Sequence, residues 1–377
     1  VPAETSQVTV ADVVAAMDRA YPPHLAEDWD AVGLICGDPG EAVSTVAFAL
    51  DCTDAVAERA IELGADMLVV HHPLLLRGVT GVPADHPKGR IIHRLIREGV
   101  ALFAAHTNAD AARPGVNDRL AELLGITPGA PLRPIEEPMD KWGFTVPPEN
   151  AEEVKQALFA VGGGTIGHYE HASAQHPVTG QFRPMAAAQP HTGRAGELET
   201  VEELRVEFVA PKRLREKLRQ TLKRTHPYEE VAYDVLTTHT GTADLGIGRV
   251  GELDRDMSLR EFAQRVAERL PRTAWGIRAA GDPDARVRTV AVASGAGDSF
   301  LGTVRRLGVD CFVTSDLRHH PVDEHLRAGG CPVIDTAHWA SEFPWCEQAA
   351  GVVQKETGAR TTVIDLVTDP WTIHEEK

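Results

Sequence analysis

Apolar residues in the first third of the chain come in two patterns: short unbroken runs, and longer stretches with helical spacing. The runs at 46–50, 67–70 and 101–105 read as strands buried on both faces. Stretches from Val10 to about Ala20, and over 54–63, 89–98 and 116–124, repeat apolar residues at intervals of three and four and predict helices. Thr9 offers an N-cap for the first helix and Pro22-Pro23 stop it, while Gly64 ends the second. Strand and helix therefore alternate, as in a layered α/β domain whose helices cover the sheet.

The pattern changes after Gly125-Ile126-Thr127-Pro128, and a Pro-rich crossing over 131–148 marks a domain boundary. A strand at 144–146, a helix over 151–161 and a Gly162-Gly163-Gly164 turn leading into a strand at 166–169 make one β-α-β half. A strand at 204–209, a helix over 212–222 and a strand at 231–236 make another. Two such halves predict a small ferredoxin-like α+β module over 131–244, inserted into an α/β domain formed by 1–130 and 245–377. The segment 171–200, rich in Gly, Pro and His, is expected to be a long connection or a mobile arm.

The two ends of the chain repeat each other. At an offset of 244, Val46-Ala47-Phe48-Ala49 falls on Val290-Ala291-Val292-Ala293, Leu63-Gly64 on Leu307-Gly308, Asp66 on Asp310 and Val69 on Val313. At an offset of 232, His106-Thr107-Asn108-Ala109-Asp110 falls on His338-Trp339-Ala340-Ser341-Glu342. One strand-helix-strand unit is present twice, and each copy supplies a His and a carboxylate four residues apart. Two pseudo-symmetric halves sharing one site are expected.

The polar residues follow the ends of apolar strands, the edge where open α/β sheets bind ligands. His71-His72 alone is weak evidence, because neighbours within a strand point to opposite faces. With Asp110, His338 and Glu342 it becomes a ligand set suited to zinc, manganese, iron or nickel. Five ligands exceed the needs of one catalytic zinc and suit two ions about 3.5 to 4 Å apart. His106 reads equally as a ligand or as a helix-capping or supporting residue. Ser315 and Asp316 occupy the slots of His71 and His72 in the second copy; His320 is expected in or near the cleft, and His319 on the surface. His168, His171, His176 and His191 of the insert are expected to face solvent.

Composition narrows the function. With 377 residues the chain fits two or three domains. Its 55 acidic and 38 basic residues give a net charge of −17, which disfavours a nucleic-acid backbone binder. The basic run from Lys212 to Arg224 alternates with Leu and Glu and reads as a solvated helix face. Five scattered cysteines without a C-x-x-C suit neither a disulfide framework nor a thiolate zinc site, in keeping with a reducing cytosol. No apolar run reaches the roughly 18 to 20 residues of a membrane span, and no signal pattern opens the chain, so a soluble, cytoplasmic protein is expected. Because the chain begins at Val1 rather than Met, residues upstream and a removed leader stay open. No Gly-rich phosphate cradle of the Walker A type is present.

Six separated motifs resemble the GTP cyclohydrolase 1 type 2 homologue family, also called NIF-three-like dinuclear metal centre proteins. They are Glu27-Asp28-Trp29-Asp30-Ala31-Val32-Gly33-Leu34, His71-His72-Pro73, His106-Thr107-Asn108-Ala109-Asp110, Gly248-Arg249-Val250-Gly251, Thr314-Ser315-Asp316 and Asp335-Thr336-Ala337-His338-Trp339-Ala340-Ser341-Glu342. The resemblance runs nearly end to end. It implies paired α/β halves around two divalent metal ions, zinc foremost and iron, manganese or nickel as alternatives, held by His71, His72, Asp110, His338 and Glu342. The middle segment, through Gly164-Thr165-Ile166-Gly167-His168-Tyr169, Gly180-Gln181-Phe182-Arg183-Pro184 and His226-Pro227-Tyr228-Glu229-Glu230, is similar to divalent-cation-tolerance and nitrogen-regulatory ferredoxin-like trimers. A hollow homohexamer is the implied assembly.

The implied activity is hydrolytic opening of the guanine imidazole ring of GTP with formate release, in which His106 or His320 would supply a proton. A phosphoesterase acting on a nucleotide or another small phosphorylated substrate, and a non-catalytic metal-binding hexamer, are the alternatives. Three positions depart from the family pattern: Ser315 and Ala337 stand where Gly is usual, and Trp339 where Tyr is usual. Each adds bulk near the expected metals.

Overall fold

Helix α1 (Val10–Ala20) begins at Thr9, whose hydroxyl accepts a hydrogen bond from the Asp12 N–H while the Asp12 carboxylate accepts one from the Thr9 backbone N–H. Such a reciprocal cap contributes about 1 kcal/mol. The structure, a computed structural model, describes residues 7–136, 138–167, 169–238 and 244–375. The chain divides into two units, Val1–Ile135 with Asp244–Lys377, and Glu136–Ala243.

In chain order the first unit continues with β1 (Gly33–Cys36), β2 (Thr45–Ala49), α2 (Asp54–Glu62), β3 (Met67–Val70), α3 (Pro87–Arg97), β4 (Ala101–Ala104), α4 (Thr107–Ala111), α5 (Val116–Leu124), β5 (Ile126–Pro128) and β6 (Arg133–Pro134). The second unit comprises β7 (Met139–Val146), α6 (Ala151–Phe159), β8 (Ser173–Phe182), β9 (Glu199–Pro211), α7 (Arg215–Thr225) and β10 (Tyr233–Thr238). The first unit resumes with β11 (Gly246–Ile247), β12 (Arg249–Ser258), α8 (Leu259–Arg269), β13 (Ile277–Ala280), β14 (Arg286–Ala296) and α9 (Leu301–Leu307). It ends with β15 (Cys311–Ser315), α10 (His319–Arg327), β16 (Val333–Thr336), α11 (His338–Glu342), α12 (Trp345–Thr357) and β17 (Arg360–Val363).

The internal repeat is a repeat of topology. One sheet has the order β1-β4-β3-β2-β17 and another the order β13-β16-β15-β14-β12-β5. In both, an antiparallel edge strand is followed by parallel pairs: β1/β4, then β4/β3 and β3/β2, matched by β13/β16, β16/β15 and β15/β14. The halves also exchange strands, since β17 pairs with β2 and β5 pairs with β12. On β2, Val46 and Phe48 enter the apolar cluster shared with Val290 and Val292 of β14, while Ala47 and Ala49 enter a second cluster. Burial on both faces is why these strands read as unbroken apolar runs.

Arg249 is fully buried at the start of β12. Its guanidinium makes a two-pronged pair with Asp118 of α5, Nε to Oδ1 at 2.7 Å and Nη2 to Oδ2 at 2.8 Å, and donates to the carbonyls of Ala112, Gly246 and Gly248.

The second unit follows the order β-α-β-β-α-β and forms one antiparallel sheet, β10-β7-β9-β8, with its own core of Trp142, Phe144, Val154, Leu158, Val206, Leu218 and Leu222. The expected arm over 171–200 is corrected: residues 173–182 form β8, paired with β9 in an antiparallel ladder. Most of β8 is exposed and polar and its edge position accommodates Pro177, so no apolar alternation signals it. The strand expected at 166–169 reduces to a single bridge between Ile166 and Tyr169. His171, His176 and His191 are exposed, and His168 lies outside the described residues. On α7 only Leu218, Thr221 and Leu222 are buried, which leaves the basic run on the solvent side.

Candidate metal centre

Six side chains converge where parallel strands end. His71 and His72 follow β3, His106 follows β4 and caps the N-terminus of α4, and Asp110 lies on α4. His338 opens α11 directly after β16, and Glu342 follows one helical turn later. A short helix after a strand is what lets a His and an acid four apart face the same side.

Three groups of donor atoms lie within 4.8 Å of one another: His71, Asp110 and Glu342; His72, His338 and Glu342; and His71, His72 and His106. Glu342 belongs to two of them. Its Oε2 lies 2.9 Å from His72 Nε2 and 3.2 Å from His338 Nε2, and its Oε1 lies 3.9 Å from His71 Nε2. Asp110 Oδ1 is 3.7 Å from His71 Nε2. His71 Nε2 is buried without a hydrogen-bond partner. Leaving such an atom unpaired is costly, and a divalent cation beside it would satisfy it. The donors are imidazoles and carboxylates, so this cluster could hold a metal ion.

Each imidazole is fixed from behind. His71 Nδ1 lies 2.8 Å from the Ala105 carbonyl, His72 Nδ1 2.7 Å from Asp51 Oδ1, His106 Nδ1 2.9 Å from Asp30 Oδ1, and His338 Nδ1 2.7 Å from Asp316 Oδ2. These contacts set the tautomer that turns Nε2 toward the centre. Asp30 also accepts from the backbone and hydroxyl of Thr107, and Thr368 near the C-terminus donates to Asp51. Asp316 adopts a left-handed φ of 57°, a conformation that Asp tolerates better than most residues.

The charges are strongly coupled. Full burial pushes the His71 imidazole down to about 3, so it stays neutral. Burial opposes a charge on His72, but Glu342 and Asp51 outweigh it and raise the pKa to about 10. Glu342 raises His338 to about 11 against the opposing effect of burial, with help from Asp316. Burial and then Glu342 lift Asp110 to about 7. Glu342 itself is held well below the ordinary carboxylate range, because His338 and His72 override its burial.

Of the residues singled out from the sequence, the structure brings together His71, His72, His106, Asp110, His338 and Glu342. It does not bring His320 among them. His320 is exposed in the first turn of α10, ring to ring with His319, and belongs to no donor group among the described residues. That expectation is corrected: His320 stands exposed on α10, and it is Asp316, in the left-handed region just after β15, whose carboxylate backs His338. Asp51 and Asp30 were not singled out as supporting residues, since one Asp beside a strand has no distinctive spacing. Gly295 was missed as well; it lies against Glu342 and His338.

Two cavities deserve contrast. One of about 370 Å³, lined by Arg278, Arg318, His319 and Leu317 among others, contains none of the six side chains. A second, of about 240 Å³, includes His72 and His338 in its wall and opens onto the centre.

Comparison with known proteins finds relatives along nearly the whole chain. A family model described as Duf34/NIF3 (NGG1p interacting factor 3) matches residues 8–370. A Mycobacterium tuberculosis protein named GTP cyclohydrolase 1 type 2 homolog is 50% identical over 373 residues, covering 98% of each chain. A Bacillus subtilis protein of the same name is 35% identical over 369 residues, covering 96% of this chain and 97% of that one. The crystal structure of a Bacillus cereus protein related to NIF3, 34% identical, superposes with a TM-score of 0.84 over 98% of this chain and 100% of that chain.

Proposed function

Because the chain belongs to the Duf34/NIF3 family, we propose that its six-residue cluster is a dinuclear metal centre serving a hydrolase, with GTP as the substrate and formate as a product. The observation that carries this reading is the pair of donor groups sharing Glu342, with an unpartnered buried nitrogen on His71. His71 and Asp110 would hold one ion, His72 and His338 the other, and Glu342 would bridge them. Zinc is the first choice among divalent ions. Such ions, when bound, supply Lewis acidity and a water acidic enough to ionise near neutral pH.

The protein's own groups do the rest. Asp51, Asp30 and Asp316 keep three imidazoles in one tautomer and orientation. His106, backed by Asp30 and in ring contact with His71 and His72, would carry a proton to the departing ring nitrogen. The name carried by the relatives supplies the choice of GTP.

The same reading takes 1–130 with 245–377 as the metal domain and 131–244 as an inserted ferredoxin-like domain, supported by the β-α-β-β-α-β order and antiparallel sheet of that segment. It further includes a homohexamer in the cytoplasm. No described helix is long and apolar enough to cross a membrane.

The test is elemental analysis of the purified protein beside His71→Ala, His338→Ala and Glu342→Gln, with formate release from GTP followed on the same samples. Close to two ions per chain, lost in the variants together with formate release, is the expected result. Two ions with phosphate release instead would redirect the activity to a phosphoesterase. Two ions without turnover on any substrate would leave a metal-binding protein, and no stoichiometric metal after reconstitution would end the metal reading.

A further inference from the structure

β17 runs parallel to β2, and the pairing continues past its end, where the Ile364 N–H donates to the Phe48 carbonyl. The segment that follows is directed along β2 toward Leu50 and Asp51. Thr368 to Trp371 join those two residues, His72 and His338 in the wall of the cavity of about 240 Å³. Residues 365–367 and Pro370 are exposed, whereas Thr368 is half-buried and Asp369 buried. Asp369 accepts the Trp371 backbone N–H, and the Trp371 ring lies 5.5 Å from that of Trp275. The segment is thus tied down on both sides of Thr368.

Thr368 turns its hydroxyl to Asp51. It donates to Asp51 Oδ2, while Oδ1 of the same carboxylate lies 2.7 Å from His72 Nδ1. Among the described residues these are the hydrogen-bond partners of that carboxylate, one on each oxygen. The last torsion of an Asp side chain is broad and roughly two-fold, so a carboxylate held through one oxygen alone can turn. A donor on the second oxygen fixes its plane. The same device recurs at His106: Asp30 Oδ1 is 2.9 Å from His106 Nδ1, and Asp30 Oδ2 accepts from the Thr107 hydroxyl. Thr107 follows His106 directly in sequence, whereas Thr368 lies 317 residues from Asp51, so only the fold brings the second threonine to its carboxylate.

We infer that Thr368 is a positioning residue of the metal centre: its hydroxyl holds the plane of the Asp51 carboxylate, and Asp51 in turn aims His72 Nε2 at the ion shared with His338 and Glu342. The inference deepens the proposed function and rests on it for the presence of the ions. His72 Nε2 lies 2.9 Å from Glu342 Oε2, so a turn of the imidazole would carry it away from the carboxylate assigned as the bridge. Thr368 reaches the centre through Asp51 and His72, and its loss falls chiefly on the ion of His72 and His338. The ion of His71 and Asp110 has separate supports in the Ala105 carbonyl, 2.8 Å from His71 Nδ1, and the Ser294 hydroxyl, 3.3 Å from Asp110 Oδ1.

The experiment is chelator competition for zinc in the full chain, comparing wild type with Thr368→Val, Thr368→Ser, Asp51→Ala and the Asp51→Ala/Thr368→Val double variant, with zinc content measured on every sample. Thr368→Val keeps the shape of the side chain without its hydroxyl. It is expected to weaken one of the two ions about 3- to 10-fold, a smaller loss than follows removal of a group in direct contact with a ligand. Thr368→Ser restores the donor and should bind zinc within about two-fold of wild type. In the Asp51→Ala background Thr368→Val should change nothing further, because the carboxylate through which it acts is gone. Zinc affinity of Thr368→Val equal to wild type, a loss that Thr368→Ser fails to restore, or a loss of the same size in the Asp51→Ala background would overturn the inference and leave the metal centre standing. Wild type without stoichiometric zinc after reconstitution would overturn the metal reading and the inference with it.

Discussion

Gly295 makes room for Glu342. A Cβ on Gly295 would come 2.4 Å from Glu342 Oε1 and 3.2 Å from His338 Nε2, and the Gly295 φ of +62° lies in the left-handed region. An alanine there carries a backbone cost of about 1–2 kcal/mol and must also move the carboxylate shared by two donor groups. Gly295→Ala is expected to lower metal affinity about 10- to 100-fold, by analogy with changes in groups that support ligands. Chelator competition measures it; affinity equal to wild type would mean that Glu342 does not hold the metal in this position.

The carboxylates behind the imidazoles lead to a second expectation. Asp51→Asn and Asp316→Asn keep side-chain size but present an amide to the Nδ1 of His72 and of His338. Each should cost about 10- to 100-fold in metal affinity. Equal metal affinity in both variants would make these carboxylates bystanders.

The sequence made much of this centre legible because its candidate ligands follow apolar strands and recur at fixed offsets. Asp110 and Glu342 stand out as the acids of a His-x-x-x-acid element present twice. The repeat fails where the chemistry is asymmetric. At the offset of 244, Asp51 falls on Gly295: the first half needs a carboxylate behind His72, whereas the second has no space for a side chain beside Glu342. Local periodicity also has little to say about β8, whose residues are mostly exposed, or about His320, which stands exposed on α10. These features depend on tertiary context rather than on spacing.

Metal binding should be steeply pH-dependent. His72 and His338 have pKa values raised to about 10 and 11, so both are protonated in the metal-free protein at neutral pH and must lose their protons on ligation. His71, lowered to about 3, is already neutral, and Asp110, raised to about 7, adds a third displaced proton only as pH falls toward and below that value. By linkage the logarithm of affinity should rise by about two per pH unit near about pH 8, more steeply below about pH 7, and level off above the raised histidine values. Calorimetry at about pH 8 in buffers of different ionisation enthalpy counts the protons. Release near zero would show that the histidines are already neutral without metal.

Arg249 and Asp118 form the clamp on which Asp110 depends. The guanidinium ties β12 to α5 through Asp118 and to the end of α4 through the Ala112 carbonyl, two residues beyond Asp110. Arg249→Met would leave the buried Asp118 with only Arg113, 3.9 Å away, as a cationic neighbour and would remove the Arg249 donors from three carbonyls, at a cost of up to about 3–5 kcal/mol. In a protein of this size that corresponds to a fall in thermal midpoint of about 5 °C. Arg249→Lys keeps the charge but not the planar fork, so it should fall between wild type and Arg249→Met. Adding Asp118→Leu to Arg249→Met removes the stranded charge and should recover part of the loss. Recovery stays incomplete because Asp118 also accepts the Gly115 N–H at the start of α5. Thermal unfolding of the three variants decides the matter: a loss under about 1 kcal/mol in Arg249→Met would mean that packing alone holds α4 and α5 in place.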